Sequence, residues 1–179
     1  MTVYGGKELA NAFRTVRKNT VQVAEDIPEA QYNYIPAPGC KSVGRMLTHI
    51  AVSVSFWDEV HRKQRRTTMQ GLDFASMSER AEANETKSRS KAEIIELLHS
   101  EGEPFAAWLE TLTPEFLAET VIEPDGKTAK SRFESLLGAK EHEMHHRAQL
   151  MLIERQLGIV PHLTRQRQER IAQMRAAKA

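Results

Sequence analysis

Glu141-His142-Glu143-Met144-His145-His146-Arg147 places two histidines four residues apart. On a helix, residues so spaced lie one turn above each other on the same face. The stretch therefore reads as helix, and His142 and His146 as two imidazoles pointing one way. Such a pair normally holds a divalent metal only with a further protein ligand. We read that ligand as His49, in Met46-Leu47-Thr48-His49-Ile50-Ala51. The expectation is a helical bundle with a three-histidine metal site and one open coordination position.

Working outward, Ser131-Arg132-Phe133-Glu134 is a capping box that predicts a helix over 132–157, closed by Gly158 with Pro161 beyond. Leu9, Phe13, Val16, Thr20, Val23 and Ile27 recur at helical spacing and predict a helix over 7–26, stopped at Ile27-Pro28. Ser42 is a plausible cap for a helix reaching 64, on which Met46, His49, Ser53, Phe56 and Val60 share one apolar stripe. Ser90-Lys91-Ala92-Glu93 opens a third helix, which Pro104 is expected to kink or divide. Residues 65–89 read as a long polar connection with room for a short helix near 72–77, either covering the bundle mouth or lying as a surface loop. Pro124-Asp125-Gly126 marks a turn, and no segment alternates as a strand would. The fold class is all-α: a four-helix bundle in a single domain over 1–179. Its helical tail over 163–179 carries a thin stripe (Leu163, Ile171, Met174) suited to solvent or to a dimer contact.

Composition excludes several functions. Lys+Arg 25 against Asp+Glu 24 leaves +1, so no global field draws in nucleic acid or an anionic membrane. No run of about 20 apolar residues is present, and the first residues lack the apolar core of a signal peptide. The lone Cys40 forbids an intrachain disulfide and fits a reducing cytoplasm. Neither Cys40 nor His99 is assigned a role.

Three neutral imidazoles would leave a divalent ion its full charge, and the open position would acidify either water or a thiol. His142-Glu143-Met144-His145-His146 also satisfies H-E-x-x-H, in which Glu143 would be the general base of a zinc protease. The extended pattern needs glycine at 149 and histidine at 152, where Gln149 and Leu152 stand. Glu169, the available carboxylate ligand, lies in an arginine-rich tail, and no sheet precedes the motif to hold a peptide. The protease reading is the weaker one. The remaining alternative is that all three histidines are hydrogen-bonded core residues, or a surface pair plus a buried one.

The segment Tyr34-Ile35-Pro36-Ala37-Pro38-Gly39-Cys40-Lys41-Ser42-Val43-Gly44-Arg45-Met46-Leu47-Thr48-His49-Ile50-Ala51 resembles a signature of the DinB (DinB/YfiT-like) superfamily. His142-Glu143-Met144-His145-His146-Arg147-Ala148-Gln149-Leu150 resembles its second. The resemblance implies a four-helix bundle of up-down-down-up connectivity with His49, His142 and His146 as metal ligands. It implies one divalent metal (nickel, zinc or iron), a homodimer and a small-molecule substrate. Characterised relatives point to thiol transfer with a low-molecular-weight thiol such as bacillithiol, mycothiol or glutathione. A metal-dependent hydrolase, or a non-catalytic metal- or ligand-binding stress-response protein, is the alternative. His145, Arg147 and Gln149 match the second signature and are candidates for hydrogen bonds behind the ligands. Ala148 stands where the family usually has glycine.

Overall fold

Each main helix of the computed structural model, which describes residues 4–178, begins where an acceptor meets its free amides. Gly5 N–H donates to the Glu8 carboxylate at 3.0 Å and opens α1, Gly6–Asp26. Ser42 Oγ accepts from Arg45 N at 3.3 Å and opens α2, Val43–Trp57. Asp73 caps α3, Phe74–Glu85, and capping boxes at Ser90 and Ser131 open α4, Lys91–Glu110, and α6, Arg132–Gln156. Between them lie the short α5, Pro114–Ala118, and an antiparallel pair, β1, Thr120–Ile122, and β2, Ala129–Ser131. Helix α7, His162–Ala176, ends the described chain. The expectations for residues 1–3 and 179 lie outside the described residues.

α1, α2, α4 and α6 form the bundle. Lys91 Nζ reaches the Glu25 and Ile27 carbonyls at 2.7 Å, and the Gly6 backbone lies against Leu109 at the other end, so α1 and α4 run antiparallel. A Cβ at Gly6 would stand 2.5 Å from the Leu109 carbonyl oxygen, so this approach requires glycine. Trp57 Nε1 donates to Ser135 O at 3.0 Å, setting the end of α2 beside the start of α6. Gly44 packs against Ile94, start beside start, so α2 and α4 are parallel. Tyr4 meets Phe133 at 5.5 Å, so α1 and α6 are parallel too. The order is up-down-down-up, as expected.

Two apolar clusters fill the bundle. Ile27, Leu47, Ile50, Leu98 and Leu150 occupy one end; Leu9, Phe13, Phe105, Leu109 and Leu136 occupy the other. Between them Arg17 spans the core: its Nε lies 3.0 Å from both Glu143 oxygens and its Nη1 donates to Leu98 O at 2.6 Å.

Three expectations need correction. Pro104 does not divide α4. Its missing amide costs about 3 kcal/mol, and burying Phe105 and Leu109, each worth about 1.5–3 kcal/mol, outweighs that. The connection over 65–89 holds a full helix, α3, whose Phe74 stacks on Phe56 of α2 at 5.9 Å. A small hairpin exists where no strand was expected; Val121 packs with Val60 and Met69, which pins it to the end of α2. That end continues in a π-helical turn, Asp58–Lys63, from which His61 is fully buried. Among the described residues no helix is long and apolar enough to cross a membrane.

Candidate metal centre

α2 and α6 bring His49, His142 and His146 together from 93 and 97 residues apart in sequence. Their Nε2 atoms form a near-equilateral triangle: His49 to His142 3.0 Å, His49 to His146 3.2 Å, His142 to His146 3.2 Å. Nitrogens bound tetrahedrally at about 2.0–2.1 Å stand about 3.3 Å apart, so the edges suit one ion. The three rings sit at the rim of the core, half-buried, rather than within the apolar stripe expected for His49.

The outer ring nitrogens determine what the inner ones can do. His49 Nδ1 lies 2.5 Å from Glu85 Oε1, and a carboxylate only accepts, so Nδ1 carries the proton. His146 Nδ1 donates to Gln149 Oε1 at 2.8 Å, while Gln149 Nε2 donates towards His145 Nε2 at 3.3 Å. When neutral, His49 and His146 therefore point bare lone pairs at each other. His142 Nδ1 is buried without a partner, so one proton on His142 Nε2 is the most the triangle can supply. Neutral donors converging in this way fit a cation.

Burial, together with the neighbouring His146 and His49, pushes the His142 imidazole down to about 4. Burial also lowers His146, against the bond it donates to Gln149. At neutral pH these rings are ready to ligate without first losing a proton. Glu85 is buried, which alone would raise its carboxyl, but bonds from Lys41 and His49 hold it below the usual range. Glu85 thus couples His49 to the cation of Lys41, the carboxylate–histidine arrangement that would fix the tautomer of a metal ligand. The sequence reading missed it. Its helix, with Asp73 accepting from Ser76 N at 3.0 Å, carries an N-cap signal inside the supposed loop.

Glu143 does not line the cluster. It is fully buried on the core side of α6, its carboxylate held by Arg17, so it is not the free base that H-E-x-x-H chemistry needs. Arg147 turns towards α1, with Nη1 donating to Val16 O at 3.3 Å. His145 is exposed beside His146, ring centroids 4.9 Å apart. Glu169 is exposed on α7, and Ala148 is exposed on the outer face of α6, so its methyl neither tightens the bundle nor narrows the cluster.

A cavity of about 250 Å³ adjoins His49 and His142. Phe56 and Trp57 of α2 and Phe74 and Met77 of α3 supply its apolar walls, and the Trp57 ring lies 5.8 Å from His142. No carboxylate lines it. Segment 65–89 thus supplies one wall of this cavity through α3, and the turn at Pro124 takes no part in it.

Comparison with known proteins gives a consistent picture. A model of the DinB superfamily matches residues 12–150. The chain is similar in structure to YfiT from Bacillus subtilis, described as a probable metal-dependent hydrolase with an unusual four-helix bundle topology. The TM-score is 0.67 and the identity 20%, over 86% of this chain and 88% of that one. It is also similar to a DinB-like protein, YjoA, from Bacillus subtilis, with TM-score 0.62 and 24% identity, over 84% and 92% of the two chains. No curated protein matches.

Proposed function

The chain belongs to the DinB superfamily, and on that premise we propose that His49, His142 and His146 hold one divalent cation in an enzyme of the thiol-transfer type. The observation that carries the metal is the pair of Nδ1–H bonds, to Glu85 and to Gln149, which turn two lone pairs onto one point. A bound cation would acidify a coordinated nucleophile, thiol or water, at neutral pH.

The surrounding residues favour the thiol. Hydrolysis gains from a positioned general base; Glu143 is engaged by Arg17, Glu85 is engaged by Lys41 and His49, and no carboxylate lines the cavity. A thiol that loses its proton to solvent needs no such base. Phe56, Trp57, Phe74 and Met77 would bury the apolar body of an electrophilic small molecule against His142. The new carbon–sulfur bond forms as the leaving group departs with its electron pair. Hydrolysis is the second reading, supported by likeness in fold to YfiT.

Elemental analysis of protein purified without a nickel column, beside His49→Ala, tests the site: about one ion per chain, lost in the variant, is expected. The loaded protein is then given bacillithiol, mycothiol or glutathione with an aryl halide or epoxide, and separately esters and amides without thiol. Metal-dependent loss of thiol supports transfer. Ester or amide cleavage without thiol would replace it with hydrolysis, and inertness to all would leave a metal-binding protein.

A further inference from the structure

A second cavity, of about 350 Å³, lies where the π-helical turn after α2, the end of α4 and the start of α5 meet. Its walls are cationic and aromatic: Arg62 and Arg65 on one side, Trp108 of α4 and Phe116 of α5 on the other. Among the described residues no carboxylate lines it. The acids nearby are engaged elsewhere. Asp58 is shared between Arg62 Nη1, at 3.3 Å, and Lys63 Nζ, at 3.1 Å, while Glu119 accepts twice from the buried Arg132. His61, which also lines the cavity, has both ring nitrogens bonded to Arg132 and Ser135. No spare acceptor is left there to repel an anion.

Arg65 is the cation without a counterpart. Its guanidinium lies over the Phe116 ring, 5.3 Å from the centroid, and no acceptor among the described residues takes a bond from it. A guanidinium laid on a ring keeps the N–H donors of its edge free. The backbone beneath it is strained: φ is 48°, a left-handed conformation that no other non-glycine residue described here adopts. Arg66 N donates to Val60 O at 2.9 Å around this residue, the helix ending at which glycine is the usual choice. Glycine would relieve the strain, so the backbone does not call for arginine. What arginine adds is a free positive charge over an aromatic wall.

We propose that this cavity binds a small aromatic carboxylate. The edge of the Arg65 guanidinium receives the carboxylate, whose two oxygens match a pair of parallel N–H donors. The flat body of the ligand lies against Trp108 and Phe116, both half-buried. A single unpaired guanidinium suits a monoanion better than a phosphate dianion. Arg62, half engaged by Asp58, adds to the field without setting the charge of the ligand. His61 follows His49 by twelve residues, about 18 Å of helix, so this site and the histidine cluster stand apart and neither proposal needs the other.

Calorimetric titration of the full chain with 2-naphthoate tests this, before and after treatment with a chelator so that coordination to a metal is not counted. One molecule per chain should bind in both cases. Arg65→Gly should weaken binding about ten-fold or more, because a charged hydrogen bond is lost. Its denaturation midpoint should not fall, because glycine accepts the left-handed backbone. 2-Naphthylmethanol, which has the same body without the charge, should bind at least about ten-fold more weakly than 2-naphthoate. Absence of binding after chelation, or equal affinity in Arg65→Gly, would overturn the proposal. A lowered midpoint in Arg65→Gly would overturn it too, by showing that the arginine serves the fold. Inorganic phosphate binding more tightly than 2-naphthoate would overturn the choice of ligand.

Discussion

His142 and Glu143 are neighbours in α6, and both point away from bulk solvent, yet they meet opposite environments. Glu143 finds a guanidinium: Arg17 satisfies both its oxygens at 3.0 Å and gives its remaining donors to Leu98 and Ile50 carbonyls. Charge and hydrogen bonds close within the chain. The histidine cluster closes only on its outer side, at Glu85 and Gln149, and leaves inward-facing lone pairs 3.0–3.2 Å apart. A polar group satisfied by its own chain holds structure together. One satisfied on a single side is built to take a ligand.

Breaking the closed side should have the largest effect. Arg17→Ala leaves Glu143 buried and unpaired, and destabilises by about 3–5 kcal/mol, read as a fall in the denaturation midpoint. Removing both charges, as Arg17→Met with Glu143→Leu, should recover much of that loss. A double variant as unstable as the single would show that something other than the stranded charge is responsible.

Glu85→Gln acts on the open side. Losing the carboxylate behind a histidine ligand lowers metal affinity about 10–100-fold. Calorimetric titration of the metal-free variant with zinc or nickel measures this, and unchanged affinity would remove Glu85 from the site. The midpoint of the metal-free protein should move far less than with Arg17→Ala.

Glu154 is a buried glutamate to which no arginine is hydrogen-bonded, although Arg165 and Arg155 lie near enough to oppose its upward shift. Both its oxygens lack a partner, and burial, with Asp26 nearby, pushes its carboxyl from 4.5 up to about 7. A raised folded value means the folded state holds the proton more tightly. Its contribution is fully present below 4.5 and is lost as pH rises through about 7. Glu154→Gln should therefore stabilise the protein above pH 7 relative to wild type and change little below 4.5. Equal midpoint shifts at pH 4 and pH 8 would show that Glu154 does not titrate as its burial demands.

Much of this division was legible in the sequence. Ser42, Ser90 and Ser131 mark the helix starts because a cap is a local event, and the three histidines follow from helical spacing and the family signatures. What could not be read is what depends on distant partners. The H-E-x-x-H spacing suggests a base at Glu143, but Arg17, 126 residues away, decides its role. α3 buries only Glu85 and covers rather than builds the core, so its apolar pattern is thin and its segment reads as a polar connection with room for no more than a short helix. Strands of three residues are too short to show alternation.

His61 gives the comparison its sharpest form, with the smallest expected effect on metal. Burial, with Arg132 adding to it, pushes His61 down to about 4, the same value that burial gives His142. For both rings the folded value lies below the ordinary 6.5, so the unfolded chain takes up protons first. Stability is full above 6.5 and falls as pH drops towards 4, to which both contribute. Titration therefore does not tell a ligand from a structural histidine; partners do. His61 Nδ1 accepts from Arg132 Nη1 at 2.9 Å and Nε2 donates to Ser135 Oγ at 3.0 Å, so neither nitrogen is left over. His61→Asn should lower stability by about 1–3 kcal/mol through the partners it leaves unpaired. Metal content by elemental analysis should stay at the wild-type level, while His142→Asn should lose the metal. If both variants lost metal alike, hydrogen-bond closure would not be what separates the two kinds of histidine, and the triangle would lose its claim to be the site.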